Sequence, residues 1–87
     1  MSSLDPRSPI PLYHQVEQAV SQLILEQRLT PGARLPSEPE LALLFGVAPL
    51  TVRRALERLE RAGAIVRRRG SGTFVGPILP ARPIAAP

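Results

Sequence analysis

Cysteine, tryptophan and lysine are all missing from this 87-residue sequence. Without cysteine, neither a disulfide nor a cysteine-based metal site can staple so short a chain. The same absence suits a reducing compartment. Two phenylalanines and one tyrosine are the only aromatics, so aliphatic side chains must build the core. The apolar runs are far too short to span a bilayer. The N-terminus, MSSLDPRSPIPLYHQ, has neither a basic start nor an apolar stretch of the signal-peptide kind. A cytoplasmic protein with no membrane partner is expected. The one histidine, His14, has no cysteine or carboxylate at metal spacing, and reads as a surface or interface residue. No serine has a paired base and no carboxylate pair marks a cleft, so the chain is expected to be no enzyme and to need no cofactor. Gly70-Ser71-Gly72 lacks the following lysine of a phosphate loop.

Arginine is what the sequence does have: all eleven basic residues are arginine, in a chain of net charge +4. Residues 1–48 hold Arg7, Arg28 and Arg34 against Asp5, Glu17, Glu26, Glu38 and Glu40, a net of −2. Residues 49–72 hold seven arginines against Glu57 and Glu60, a net of +5. Such segregation is the electrostatic footprint of a phosphate-binding surface. Charge alone leaves a solvated basic face without a partner equally open.

The length allows one small domain. Residues 1–9 are polar and interrupted by proline, and read as a flexible arm. Residues 10–76 carry the periodic segments, and residues 77–87, with four prolines and no periodicity, read as a linker or tail. Pro11 suits a helix start, and Leu12, Val16, Ala19, Val20, Leu23 and Ile24 form a helical stripe expected to run to about Arg28 or Leu29. Thr30-Pro31-Gly32 breaks it, and Arg34-Leu35 reads as a very short strand. Ser37-Glu38-Pro39-Glu40 reads as a capping box opening a second helix, whose apolar side is Leu41, Ala42, Leu44 and Phe45 and which ends at Gly46.

A third helix is predicted from about Pro49 to Ala62, stopped by Gly63. Val52, Ala55, Leu56 and Leu59 fall at i, i+3, i+4 and i+7 and must face a core, leaving Leu50, Arg54, Glu57 and Arg61 opposite, with Thr51 and Arg53 flanking. Ala64 to Arg69 then reads as a strand, Gly70-Ser71-Gly72 as a tight turn and Thr73-Phe74-Val75 as the returning strand. The fold class expected is therefore mainly α with a small β-hairpin: a winged helix-turn-helix of three helices plus a wing. Such a domain sets its third helix in the major groove of DNA and its wing alongside.

Blocks of residues along the chain also resemble a known family. They are Pro11-Leu12-Tyr13-His14-Gln15-Val16, Thr30 to Glu38, Leu41-Ala42, Phe45-Gly46-Val47, Thr51 to Leu56 and Gly70 to Val75. In this order they resemble the N-terminal reader domain of the GntR family of bacterial transcription regulators, with Pro-Leu-Tyr and Gly-Thr-Phe-Val closest to its HutC-like branch. The resemblance covers about residues 10–76. It implies a homodimeric repressor that binds a double-stranded DNA operator at the nucleoid. It also implies a C-terminal domain, absent from this sequence, through which a small-molecule effector acts. Three positions depart from the family pattern. Pro39 stands where a basic residue is usual, and Ala48-Pro49 stand where Ser-Arg is usual. Losing the cap hydroxyl costs about 1 kcal/mol, offset in part by a proline suited to the first turn. Losing the arginine predicts weaker binding or a changed base preference.

Chemistry assigns the expected contacts. Arg53 matches the family arginine of Thr-Val-Arg and is the expected base reader, since its fork pairs with guanine O6 and N7. The bland alternative is a surface pair with Glu57 at i+4. Arg54 is expected at phosphate or a base edge, and Thr51 at phosphate or on its own backbone. Leu50 is expected against a thymine methyl or in a surface staple. Ser37 is expected to cap its helix and to help clamp a phosphate, and Arg34 is a further candidate for the DNA backbone. Arg69, Gly70 and Ser71 form the wing tip, which in this family enters the minor groove. Arg67 and Arg68 alternate faces, so one of them is expected to be only solvated. Tyr13 reads as a packing residue. Two other readings stay open: a winged helix used as a protein-interaction module, with Leu50 as anchor, and a reader domain fused to an aminotransferase-like half.

Overall fold

The computed structural model describes residues 4–78. Its elements follow the expected order: α1 (Leu12–Glu26), β1 (Arg34–Leu35), α2 (Glu38–Phe45), α3 (Pro49–Arg61), β2 (Ile65–Arg68) and β3 (Gly72–Val75). The three strands form one antiparallel sheet in the order β1-β3-β2. Arg34 lies opposite Phe74 and Leu35 opposite Thr73, while Ile65 to Arg68 run opposite Val75 to Gly72. The wing is thus fastened to the helical body through β1, 37 residues upstream of its tip at Ser71.

The stripe expected on α3 is the one that is buried: Val52, Ala55 and Leu56 are fully enclosed and Leu59 nearly so. Val16, Val20 and Ile24 of α1, Leu41 of α2 and Leu35, Ile65 and Val75 of the sheet complete the same cluster. Two phenylalanines remain at its margin or outside it: Phe45 packs against the cluster without being buried, and Phe74 stands half-exposed on the wing. The aliphatic core expected from the composition is what forms.

All three helices end in the same way. In each, a left-handed residue stands one or two positions past the last helical residue, and the next N–H reaches back five residues. The bonds are Leu29 N to Ile24 O at 3.0 Å, Val47 N to Ala42 O at 3.1 Å and Ala64 N to Leu59 O at 2.9 Å. This closure satisfies terminal carbonyls that would otherwise lack partners. Glycine occupies the left-handed position after α2 and α3 (Gly46, φ 67°; Gly63, φ 82°), whereas α1 places Arg28 there at φ 53°. This explains why α1 stops at Glu26 rather than at Arg28 or Leu29, although its apolar period continues to Leu29. Gly76 is required by close approach: its N–H bonds Ala64 O at 2.8 Å, and an added Cβ would lie 2.3 Å from the Gly63 carbonyl oxygen.

The second helix differs from expectation. Leu41 and Ala42 are buried, but Leu44 is 60% and Leu43 85% exposed. A helix of eight residues that packs by one edge of its first two turns has no room to turn Leu44 inward. The N-terminal arm also has more structure than its composition suggested. Gln15 of α1 accepts from Asp5 N at 2.8 Å and donates to the carbonyls of Asp5 and Ile10 at 2.9 and 2.8 Å. Of the expected tail, only Pro77 and Ile78 lie within the described residues, and Ile78 N bonds Gly63 O at 3.1 Å.

Arg28 carries a Cβ in a region that costs non-glycine residues about 1 kcal/mol or more. Arg28→Gly should therefore raise the unfolding free energy by about 0.5–1 kcal/mol and the melting midpoint by roughly 2–6 °C. Thermal unfolding followed by circular dichroism checks this.

Candidate nucleic-acid interface

The surface of interest begins at the start of α2. Ser37 caps that helix by accepting from Glu40 N at 3.2 Å, and Glu40 Oε1 accepts from Ser37 N at 2.8 Å. This reciprocal box is the one expected from the sequence. The backbone N–H of Ser37, followed by its hydroxyl, holds the Glu40 carboxyl below its ordinary range, with a smaller contribution from the charge of Arg34.

Glu38, the first residue of α2, turns its carboxylate toward the arginines. Oε1 lies 3.3 Å from Arg53 Nε on α3, and Oε2 lies 3.2 Å from Arg67 Nη1 on β2. Arg67 uses its Nε on Glu60 Oε1, also at 3.2 Å. One carboxylate therefore joins α2, α3 and the wing. The Arg53 side chain remains 56% exposed, whereas that of Arg67 is only 27% exposed.

The wing is braced from its other side by Arg34. Its Nη2 donates to Ser71 O at 2.6 Å, and its guanidinium lies 5.4 Å from the centre of the Phe74 ring. The turn closes through Ser71 N to Arg68 O at 2.9 Å, leaving Arg68, Arg69, Gly70 and Ser71 exposed. Arg34, itself exposed, thus braces the tip through its side chain.

Eight of the eleven expected contact residues line one open hollow of about 810 Å³: Arg34, Ser37, Arg53, Arg67, Arg68, Arg69, Gly70 and Ser71. The other three, Leu50, Thr51 and Arg54, line a neighbouring hollow of about 640 Å³ with Pro11, Leu12, Tyr13, Ala48 and Glu57. Arg53 belongs to both. Leu50 is 70% exposed at the front of α3, which starts at Ala48 without a side-chain cap.

Several participants were not visible from the sequence. Glu38 and Glu60 are the acids that hold Arg53 and Arg67, and Tyr13 is a platform as well as a packing residue. The guanidiniums of Arg54 and Arg58 each lie 5.2 Å from the Tyr13 ring centre. Arg58 also pairs with Glu17, which faces His14 Nδ1 at 3.4 Å. Arg53 pairs with Glu38 rather than with Glu57, although Glu57 also lines the hollow beside Tyr13 that Arg53 reaches. A signal for Glu38 existed: an acid at a helix start, beside a strongly basic segment, has reason to pair across elements. Among the described residues, no group of three His, Asp or Glu side chains could hold a metal ion. No described helix is long and apolar enough to cross a membrane.

Residues 12–75 match the family described as bacterial regulatory proteins, gntR family. The chain belongs to the GntR family. Among curated GntR-type relatives, it is 43% identical over 75 residues to the HTH-type transcriptional repressor YtrA of Bacillus subtilis (strain 168), covering 86% of this chain and 58% of that protein. It is 45% identical over 76 residues to the histidine utilization repressor of Klebsiella aerogenes, covering 86% and 32% respectively. The latter agrees with the HutC-like resemblance. The chain thus spans less than two thirds of the length of these relatives. Among solved structures, AraR(DBD) in complex with operator ORR3 superposes with a TM-score of 0.74 at 33% identity, covering 87% of this chain and 92% of that one. The three helices and three-stranded sheet are thus the winged helix-turn-helix of GntR-type reader domains.

The GntR capping box gives a pH dependence whose sign follows from Glu40. Its folded pKa is depressed, so its contribution is fully present above the ordinary carboxylate value. That contribution is lost as pH falls through the folded one. Stability of the unaltered chain should therefore drop more steeply than that of Glu40→Gln between about pH 5 and pH 3. Urea unfolding at a series of pH values measures the difference.

Proposed function

We propose that this chain is the sequence-specific, double-stranded DNA-binding unit of a bacterial transcription regulator. In this reading the regulator is a repressor that binds its operator as a homodimer in the cytoplasm, at the nucleoid. A small-molecule effector acts through a domain outside this sequence. The single observation that carries the reading is the position of Arg53. It stands exposed on the outer side of a helix pinned from behind, where two hollows meet and beside a glycine-tipped wing.

The chemistry follows from that position. With α3 in the major groove, Arg53 presents a two-pronged donor to guanine O6 and N7, and Leu50 meets the thymine methyl. Thr51 and Arg54 serve the sugar-phosphate backbone. The exposed Arg68, Arg69 and Gly70 lie along the flanking minor groove, where a narrow A·T-rich segment attracts arginine. Arg67 stands apart from this group, since Glu38 and Glu60 already engage it. The relatives support the reading, since they include transcriptional repressors and an AraR domain in complex with operator DNA.

Selection of bound duplexes from a random pool, at stated salt, tests the function. An enriched motif with a guanine in each half-site is expected; recovery of no motif would overturn the reading. Arg53→Ala should cut discrimination at one base pair per half-site by about 5- to 100-fold. Arg68→Ala should instead weaken all duplexes alike and lower the salt slope by about 1. Titrations of both variants against matched and mismatched duplexes, at several salt concentrations, separate base reading from backbone binding.

A further inference from the structure

We propose that Glu38 is a specificity-determining residue of this face, acting by positioning Arg53 and by keeping Arg67 from the phosphate backbone. The inference rests on the reading above, in which α3 enters the major groove. A carboxylate is out of place on a surface built to meet phosphate, and this one is only 22% exposed. Both its oxygens are engaged, Oε1 by Arg53 Nε and Oε2 by Arg67 Nη1.

Two consequences follow from which nitrogens are used. With Nε held at 3.3 Å by Glu38, Arg53 keeps its terminal Nη pair for another partner, on a side chain that is 56% exposed. That edge is the fork that matches guanine O6 and N7. The tether also removes side-chain freedom before DNA arrives, which favours guanine only where it stands opposite the fork. Arg67 gives Nη1 to Glu38 and Nε to Glu60, each at 3.2 Å, so its charge is balanced inside the protein. Glu38 therefore lowers attraction to every duplex alike while sharpening the response to one base. Discrimination built from a repulsive element as well as an attractive one is a general route to specificity.

A merely structural Glu38, acting on the α2 dipole, would affect stability and leave discrimination untouched. The test uses the unaltered 87-residue chain, Glu38→Gln and Glu38→Asp. One probe is the duplex most enriched from a random pool by the unaltered chain, and the other is a shuffled duplex of the same composition. Glu38→Gln keeps the size and one acceptor but removes the charge. It should bind the shuffled duplex about threefold more tightly, with a salt slope steeper by about 1 as Arg67 becomes available. The ratio of enriched to shuffled affinity should fall about tenfold. Glu38→Asp keeps the charge but withdraws it by one methylene, and should lose discrimination without gaining affinity for the shuffled duplex. Melting midpoints set a working temperature at which every chain is folded. An unchanged ratio in both variants, or equal losses on both probes, overturns the proposal while leaving the DNA reading intact. Failure of the unaltered chain to enrich any duplex overturns both.

Discussion

Everything on the outer surface depends on how α3 is seated. Its apolar edge, Val52-Ala55-Leu56-Leu59, is enclosed against Val16, Val20 and Ile24 of α1 and against the sheet. Full burial of a side chain such as Val52 or Leu56 contributes about 1.5–3 kcal/mol. An exposed ion pair contributes about 0–1 kcal/mol. The apolar edge therefore decides the rotation of the helix, and the ion pairs only adjust what that rotation presents. Because the buried residues occupy one side, Leu50, Arg53, Arg54 and Glu57 must face outward. The front of the helix is a consequence of its back.

A second constraint sets the distance between α3 and the wing. Hydrogen bonds from the loop just before β1 attach the returning strand to the body, with Gly32 N to Val75 O and Val75 N to Ala33 O each at 2.8 Å. The Arg34 side chain then reaches the Ser71 carbonyl, and the Glu38–Arg67–Glu60 chain closes the other side. A hairpin alone would be marginal in water. Braced on both sides, its tip holds a set position relative to Arg53. A wing and a helix that are to meet one duplex together need such a set spacing.

Much of this could be read from the residues themselves, because the informative features were local. The α3 stripe, the Ser37–Glu40 box, the glycine after α2 and the Gly70–Gly72 turn each state their geometry within a few residues. What escaped was set by tertiary contact. Leu44 satisfies a helical period, yet none of the described elements covers it. Arg53 has an acid at i+4, but the partner it meets is Glu38, which lies 15 residues away. Arg28 ended α1 early because a left-handed residue can be other than glycine, and no local rule singled it out. Tyr13 read as packing because nothing in its own segment reveals the arginines, 41 and 45 positions later, that lie over its ring.

The two helix starts on this face show how the charge pattern works. The start of α2 is closed by its own box and carries Glu38 and Glu40 in its first turn. That of α3 has no side-chain cap and no acid in its first turn. A helix start favours anions, and carboxylates already there oppose a further one. The Ser37 hydroxyl is occupied within the box, since it accepts from Glu40 N and helps hold the Glu40 carboxyl low. Its two neighbouring carboxylates further weaken any pull on phosphate at that end. On the proposed reading, attraction for phosphate falls to α3 and the wing, whose arginines outnumber their acids, while Glu38 meets them at the middle. A face that needed only to hold nucleic acid would gain by losing that carboxylate. A face that must choose between sequences has a use for it.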